Sequence, residues 1–378
     1  VIATEYAKAK QPQQVDRVVA LIAPLIQSMD AYDPVGYLQN IINDALKEKQ
    51  YKLAYDLVRQ IRDGQSDWLI RVGDAAIQGS EVELALQIAQ AIDPNWVDVR
   101  DRLFGKVAVI YAQKNQIDRA LQIAQKMQNS GSKPYRVATL AEIASRSETR
   151  ANQIFNQAIA DANKIETSQF RALGYGTIAR ELLNAKQFDR AEQLLKQAIA
   201  LAKQDKDPFT VTLTLRTIVD DLIESNQTLS AFQAVEAMPD DVGERSSKLG
   251  EIFRKLLDQG QWEQAGSIVS SFQAPEARTR ALVDLAQAWL NAHQPQRAKT
   301  ILTLAFQTAQ TIPDPEVKTI VVREDLIVDD DNDRASLLEA IALLFAKTGE
   351  VDAGLQVAQK IQTANLREPL RQKLGCYR

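Results

Sequence analysis

The side chains best placed to do chemistry in this chain are carboxylates, and the densest group is Asp329, Asp330, Asp331 and Asp333. Alternate aspartates at Asp329, Asp331 and Asp333 can turn their oxygens towards one point, where a hard cation such as Ca²⁺, Mg²⁺ or Mn²⁺ would sit. A tight calcium loop also needs glycine at its sixth position for the turn and a bidentate glutamate at its twelfth. Arg334 and Ala340 stand there instead. The spacing therefore predicts at most a weak divalent-cation site. The plainer expectation is a solvated acidic loop whose last aspartate caps the helix after it. No other cofactor is expected.

The remaining inventory argues against catalysis. His293 is the one histidine and Cys376 the one cysteine, which excludes an intramolecular disulfide and a histidine metal cluster and argues against a Ser-His-Asp triad. His293 itself falls in the turn Asn291-Ala292-His293-Gln294-Pro295 and reads as a solvated turn residue. The pairs Asp220-Asp221 and Asp240-Asp241 are adjacent in sequence, so their side chains diverge and make no acid/base pair. No glycine-rich phosphate loop, nucleophile elbow or zinc-protease helix occurs. The chain is not expected to be an enzyme.

Composition narrows the partners. Across 378 residues the net charge is −4, so no overall attraction draws the chain to phosphate or anionic lipid. No basic stripe with interleaved aromatics emerges, which sets nucleic acid aside. No apolar run reaches the roughly 18 residues that a membrane span needs. A protein or peptide partner is what remains.

The elements that would position such a partner are repeated. Residues 117–127, built on Ala120-Leu121-Gln122-Ile123-Ala124-Gln125, recur nearly unchanged at 351–361 and again at 82–92. A second version at 150–160 is matched at 190–200. Self-similarity at a few tens of residues marks a stacked-repeat protein, in which each unit buries itself against its neighbours. The small residue in the second helix of each unit gives a ruler: Ala54, Ala85, Ala120, Ala151, Ala191, Ala231, Ala265, Ala298 and Gly354. The steps along it are 31, 35, 31, 40, 40, 34, 33 and 56 residues. Small residues there let two helix backbones approach closely. Apolar spacing in each unit is helical, Asp118 and Asp189 open second helices where a carboxylate suits the dipole, and prolines fall in the connecting loops. The expected fold is all-α: helix-turn-helix repeats, about nine units plus a partial N-terminal one, in a single domain over 1–378. Because residues 2–7 resemble the mid-helix stretch 107–112, the chain is expected to start partway through a repeat, with an upstream segment missing.

These units resemble the tetratricopeptide repeat. Phe104, Val107, Ala108 and Tyr111 followed by Ala120 and Ala124 match its signature, as do Tyr175, Ile178, Ala179 and Leu182 with Ala191 and Leu195. Leu282, Leu285, Ala286 and Trp289 with Ala298 and Leu302 fit as well, and so do Leu338, Ile341, Ala342 and Phe345 with Gly354 and Ala358. The repeats are degenerate: the usual first tryptophan is missing, and around Ser145-Arg146-Ser147 a first helix has lost about a turn. The resemblance implies a right-handed superhelix whose first helices line a groove for an extended peptide or a partner helix. Carried over by spacing, the groove wall is Gln39, Asn43, Arg71, Asp74, Lys106, Arg180, Arg216, Asp220, Arg254 and Gln287. Both charge signs alternate there, which suits a mixed-charge peptide, while solvated faces of amphipathic helices would look the same. The fixed Lys/Asn/Arg set with which the family grips a terminal carboxylate is absent.

Two functions follow as expectations. The first is a protein–protein interaction scaffold or assembly factor. The second is a metal-binding delivery or assembly factor using residues 324–333 of the insertion at 313–334, which accounts for the 56-residue step. Loops of this kind are where repeat proteins often place function. The Gln- and Ala-rich units also resemble bacterial or cyanobacterial assembly factors, some of which are linked to metal.

Overall fold

A computed structural model of the chain describes residues 17, 21, 34–59, 65–127, 133–239, 243–313 and 333–377. Among these residues there is helix and no strand. Helices alternate between first and second members of a pair. The first pairs are α1 (Pro34–Lys47) with α2 (Tyr51–Val58), α3 (Gln65–Gln78) with α4 (Val82–Ala91), and α5 (Val97–Gln113) with α6 (Ile117–Gln125). Next come α7 (Lys133–Ser145) with α8 (Ala151–Ala162), and α9 (Ser168–Asn184) with α10 (Phe188–Ala202). Then follow α11 (Pro208–Glu224) with α12 (Thr228–Glu236), α13 (Glu244–Asp258) with α14 (Trp262–Ile268), and α15 (Pro275–Asn291) with α16 (Pro295–Ala309). The last pair is α17 (Asp333–Lys347) with α18 (Val351–Ala358), closed by α19 (Ala364–Gly375). Packing divides the chain into two compact units, one ending at Thr210 and the other beginning at Val211. The same helix-pair pattern runs through both.

The pair turns share one backbone solution. In eight of the nine, the first helix ends on a residue with φ between 57° and 85°: Lys49, Ser80, Asn115, Lys186, Asn226, Gly260, His293 and Gly349. A Gln or Glu follows each, and its N–H returns to the carbonyl five residues back, as from Gln50 to Ala45 and from Gln294 to Trp289. That is the Schellman closure, which satisfies a helix-end carbonyl and reverses the chain in two residues. The exception is α7, with 13 residues against 17 in α5 and α9. Its chain turns through Ser147, whose hydroxyl takes the Arg150 N–H at 3.1 Å. This is the unit whose sequence had lost a turn.

The core follows the ruler of small residues. From Ala120, Ala191, Ala231, Ala265 and Gly354, the side chains three, four and seven positions on are also buried, as in Ala120, Ile123, Ala124 and Met127. Each large one contributes roughly 1.5–3 kcal/mol on burial. Ala151 departs from the others. It keeps the register, since Ile154, Phe155 and Ala158 are buried, but it is the first residue of α8 and only half-buried.

Charged rungs tie second helices together. A carboxylate two before the ruler residue meets an arginine one before the next, giving Glu83–Arg119, Asp118–Arg150 and Glu263–Arg297. Arg119 and Arg297 also lie over the rings of Tyr111 and Trp289, 4.1 and 4.4 Å from their centroids. At three of the loops between a pair and the helix after it, a further arginine closes the connection. Arg171, Arg278 and Arg367 donate to the carbonyls of Ile165, Phe272 and Ile361, six residues earlier in each case. The separation is constant because the same loop is being closed.

Candidate functional site

The first helices carry the side chains that sequence spacing places on a groove wall, and in each unit these meet across neighbouring repeats. In the unit ending at Thr210, Arg71 on α3 donates to Asn43 on α1 at 3.2 Å. Its guanidinium lies over the Trp68 ring, 4.3 Å from the centroid. One helix on, Asp74 takes two cations from α5, Arg102 at 3.2 Å and Lys106 at 2.6 Å. In the unit beginning at Val211, Arg216 reaches Glu244 at 3.5 Å. There Asp220 meets Lys248 at 2.6 Å, and Glu251 meets the same ammonium at 2.8 Å. Burial pulls the Lys248 ammonium down in pKa, but the hydrogen bonds it donates to Asp220 and Glu251, with their negative charge, outweigh that and hold the group above its usual range.

Four of these pairs, Asn43–Arg71, Asp74–Arg102, Arg216–Glu244 and Asp220–Lys248, are 28 residues apart. A constant offset of one repeat less about a turn is a signal the sequence contained, and it would have added Arg102, Glu244 and Lys248 to the groove residues. Gln39 is half-buried in α1. Arg254 bonds back to the Gly250 carbonyl at 3.3 Å, and Gln287 bonds to Asn291 at 2.7 Å.

Arg180 belongs to a denser cluster on α7 and α9. Its Nε and Nη2 reach Oε1 of Glu181 at 3.1 and 3.0 Å, and the Glu181 residue is 4% exposed. Ser145 donates to the other Glu181 oxygen at 2.6 Å. Arg146 stands 3.8 Å from Glu142 and 4.0 Å from Glu181. Burial first, and then repulsion from Glu181, pushes the Glu142 carboxyl above the usual range, against the pull of Arg146 and Arg180. Glu142, Ser145, Arg146 and Glu181 are not among the groove residues that spacing picks out.

Two clefts open between first helices of this unit. One of about 490 Å³ lies between α1 and α3 and is lined by Asn43, Lys47 and Arg71 among others. The second, of about 340 Å³, is lined by α3, α5 and α7. Its floor is Ile77, Val109 and Ile110, and its rim carries Lys106, Tyr135 and Glu142.

The acidic insertion lies almost wholly outside the described residues, which resume at Asp333 after Pro313. Asp329 and Asp331 fall there, and Asp333 is the first residue of α17. Among the described residues no three His, Cys, Asp or Glu side chains gather where a metal could be held. No described helix is long and apolar enough to cross a membrane.

No protein-family model matches the chain, and no curated protein matches it. In architecture each unit of the chain is all-α and built of helix pairs. Several solved structures are similar to the chain at low identity. Ton1535 of Thermococcus onnurineus is 16% identical over 89% of each chain, with a TM-score of 0.33. The tetratricopeptide sensor protein of the signal-transduction ATPase class from Pyrococcus horikoshii is 11% identical over 93% of this chain and 54% of that one, with a TM-score of 0.33. The kinesin light chain repeats of Podosopora anserina are 17% identical over 55% of this chain and 94% of theirs, with a TM-score of 0.26. Superpositions this loose carry nothing about partners.

Proposed function

We propose that this protein is a non-enzymatic interaction scaffold or assembly factor that holds a partner protein or peptide along its first-helix face. The observation that supports this reading is the pair of clefts lined wholly by first helices, with Arg71 in one and Lys106 in the other. Their charged heads are already anchored by Asn43 and Asp74, so they are oriented before a partner arrives and lose little freedom on binding. The second helices spend their charges on rungs between repeats, as in Glu83–Arg119.

A photo-crosslinking residue tests the face directly. Placed at Val109 on α5 it should capture a partner that the same residue at Gln122 on α6 does not. Equal capture at both positions, or capture at Gln122 alone, would rule out the first-helix face.

A further inference from the structure

The cleft bounded by α3, α5 and α7 is electrically lopsided. On the α5 side Arg102 and Lys106 share the single carboxylate of Asp74. Asp101, which also lines the cleft, is buried and paired with Arg100 at 3.3 Å, so two cations on the one remaining anion leave a unit of positive charge, and the Arg102 and Lys106 side chains are 46% and 42% exposed. On the α7 side stands Glu142, backed by the buried Glu181, with Arg146 and Arg180 balancing that pair. Between the two sides the floor is Ile77, Val109 and Ile110, with the Tyr135 ring, 41% exposed, at one end.

Resting on the first-helix reading, we infer that this cleft takes an acidic–apolar segment of a partner protein, with an aliphatic side chain on the Ile77–Val109–Ile110 floor and a carboxylate turned to Lys106 and Arg102. Charge complementarity selects the occupant. A partner carboxylate neutralises the surplus on α5 and gains a charge-assisted hydrogen bond at a site half-shielded from water. A partner lysine in the same place would face two cations. Of the α7-side charges only Glu142 lines the cleft itself, and its carboxylate turns a second one away, so the acidic group has one favoured edge and the bound segment one favoured direction. The aliphatic side chain supplies the burial that an exposed ion pair alone does not.

The test uses fluorescein-labelled peptides on the full chain: one repeating Glu-Glu-Leu, one repeating Lys-Lys-Leu, and one repeating Glu-Glu-Ser. The acidic–apolar peptide should bind best, and both controls at least about tenfold more weakly. Charge reversal at Lys106→Glu with Arg102→Glu should remove that preference, while Glu142→Gln should leave or strengthen it. An unchanged helical spectrum shows that the reversed variant is folded, and the single Lys106→Gln should weaken binding in the same direction without reversing charge. Tighter binding of the lysine peptide, an acidic preference that survives the double reversal, or no binding of the acidic–apolar peptide near 1 mM would overturn the inference. Crosslinking of a natural partner at Val109 alongside any of those results would leave the first-helix reading standing, so the two can fail separately.

Discussion

Gly354 on α18 faces the carbonyl oxygen of Ala342 on α17 so closely that a β-carbon at Gly354 would stand 2.6 Å from that oxygen. Leu374 of α19 closes the other side at 3.3 Å. The other ruler positions hold alanine, so this pair packs tighter than a methyl group allows. Gly354→Ala should therefore push α18 off α17 and destabilise the C-terminal pair by about 1–3 kcal/mol, the usual range for overpacking. Repeat arrays need not unfold in one step, so hydrogen exchange is the better readout than a single midpoint. Faster exchange confined to α17, α18 and α19 is expected. Unchanged protection there would mean the helices part without cost.

The pair turns make a second prediction. Lys186 holds φ at 59° and Gly260 holds it at 69°, in the same Schellman turn. A side chain costs about 1–2 kcal/mol in that region, and glycine gives back about 0.5–1 kcal/mol through its freer unfolded state. Lys186→Gly should raise stability by roughly 0.5 kcal/mol, and Gly260→Ala should lower it by about 1 kcal/mol. Denaturant midpoints would show this as shifts of opposite sign. Two shifts of the same sign would mean that the turn conformation is not what separates them.

The repeats were legible in the sequence because burial is periodic and the ruler residue is small for a reason of packing. Gly354 shows that reason most directly. The turns were legible in part: a Gln or Glu before eight of the nine second helices is visible, but nothing in Lys49, Ser80 or Lys186 announces a left-handed backbone. Site residues were harder. Helical spacing says which face Arg180 occupies, but not that Glu181, next in sequence and 4% exposed, takes its guanidinium. Spacing likewise gave Asp74 and Lys106 separately, while their shared network with Arg102 depends on how far one repeat is offset from the next.

The arginines that close the inter-repeat loops should matter more than their surface position suggests. Arg278 gives both Nε and Nη2 to the Phe272 carbonyl, at 2.9 and 2.6 Å. Phe272 is buried and meets the Phe253 ring edge-on at 6.0 Å. Arg278→Ala leaves that carbonyl without its charged donor and should cost about 1.5–3 kcal/mol. Arg278→Lys keeps the charge but not the fork, so it should recover only part of the loss. If lysine restores full stability by chemical denaturation, attraction of charge alone explains the contact.

The last prediction concerns pH and rests on Glu142. Burial and the neighbouring Glu181 raise its carboxyl in the folded chain, against Arg146 and Arg180. A raised acid binds its proton more tightly folded than unfolded, so between the ordinary glutamate value, about 4.3, and the raised one, the folded state carries more protons. Stability contributed by this group is then full below that window and falls as pH rises through it. Glu142→Gln removes the ionisation, and Arg146 keeps Glu181 within 4.0 Å. The variant should match the wild type in acid and exceed it at neutral pH, with the gap opening across the window. Thermal midpoints taken from pH 4 upward, on the order of one per half unit through the window, would trace the gap. A glutamine variant less stable than the wild type at neutral pH would show that the Arg146 contact outweighs desolvation and repulsion, and that the ionised Glu142 stabilises the fold.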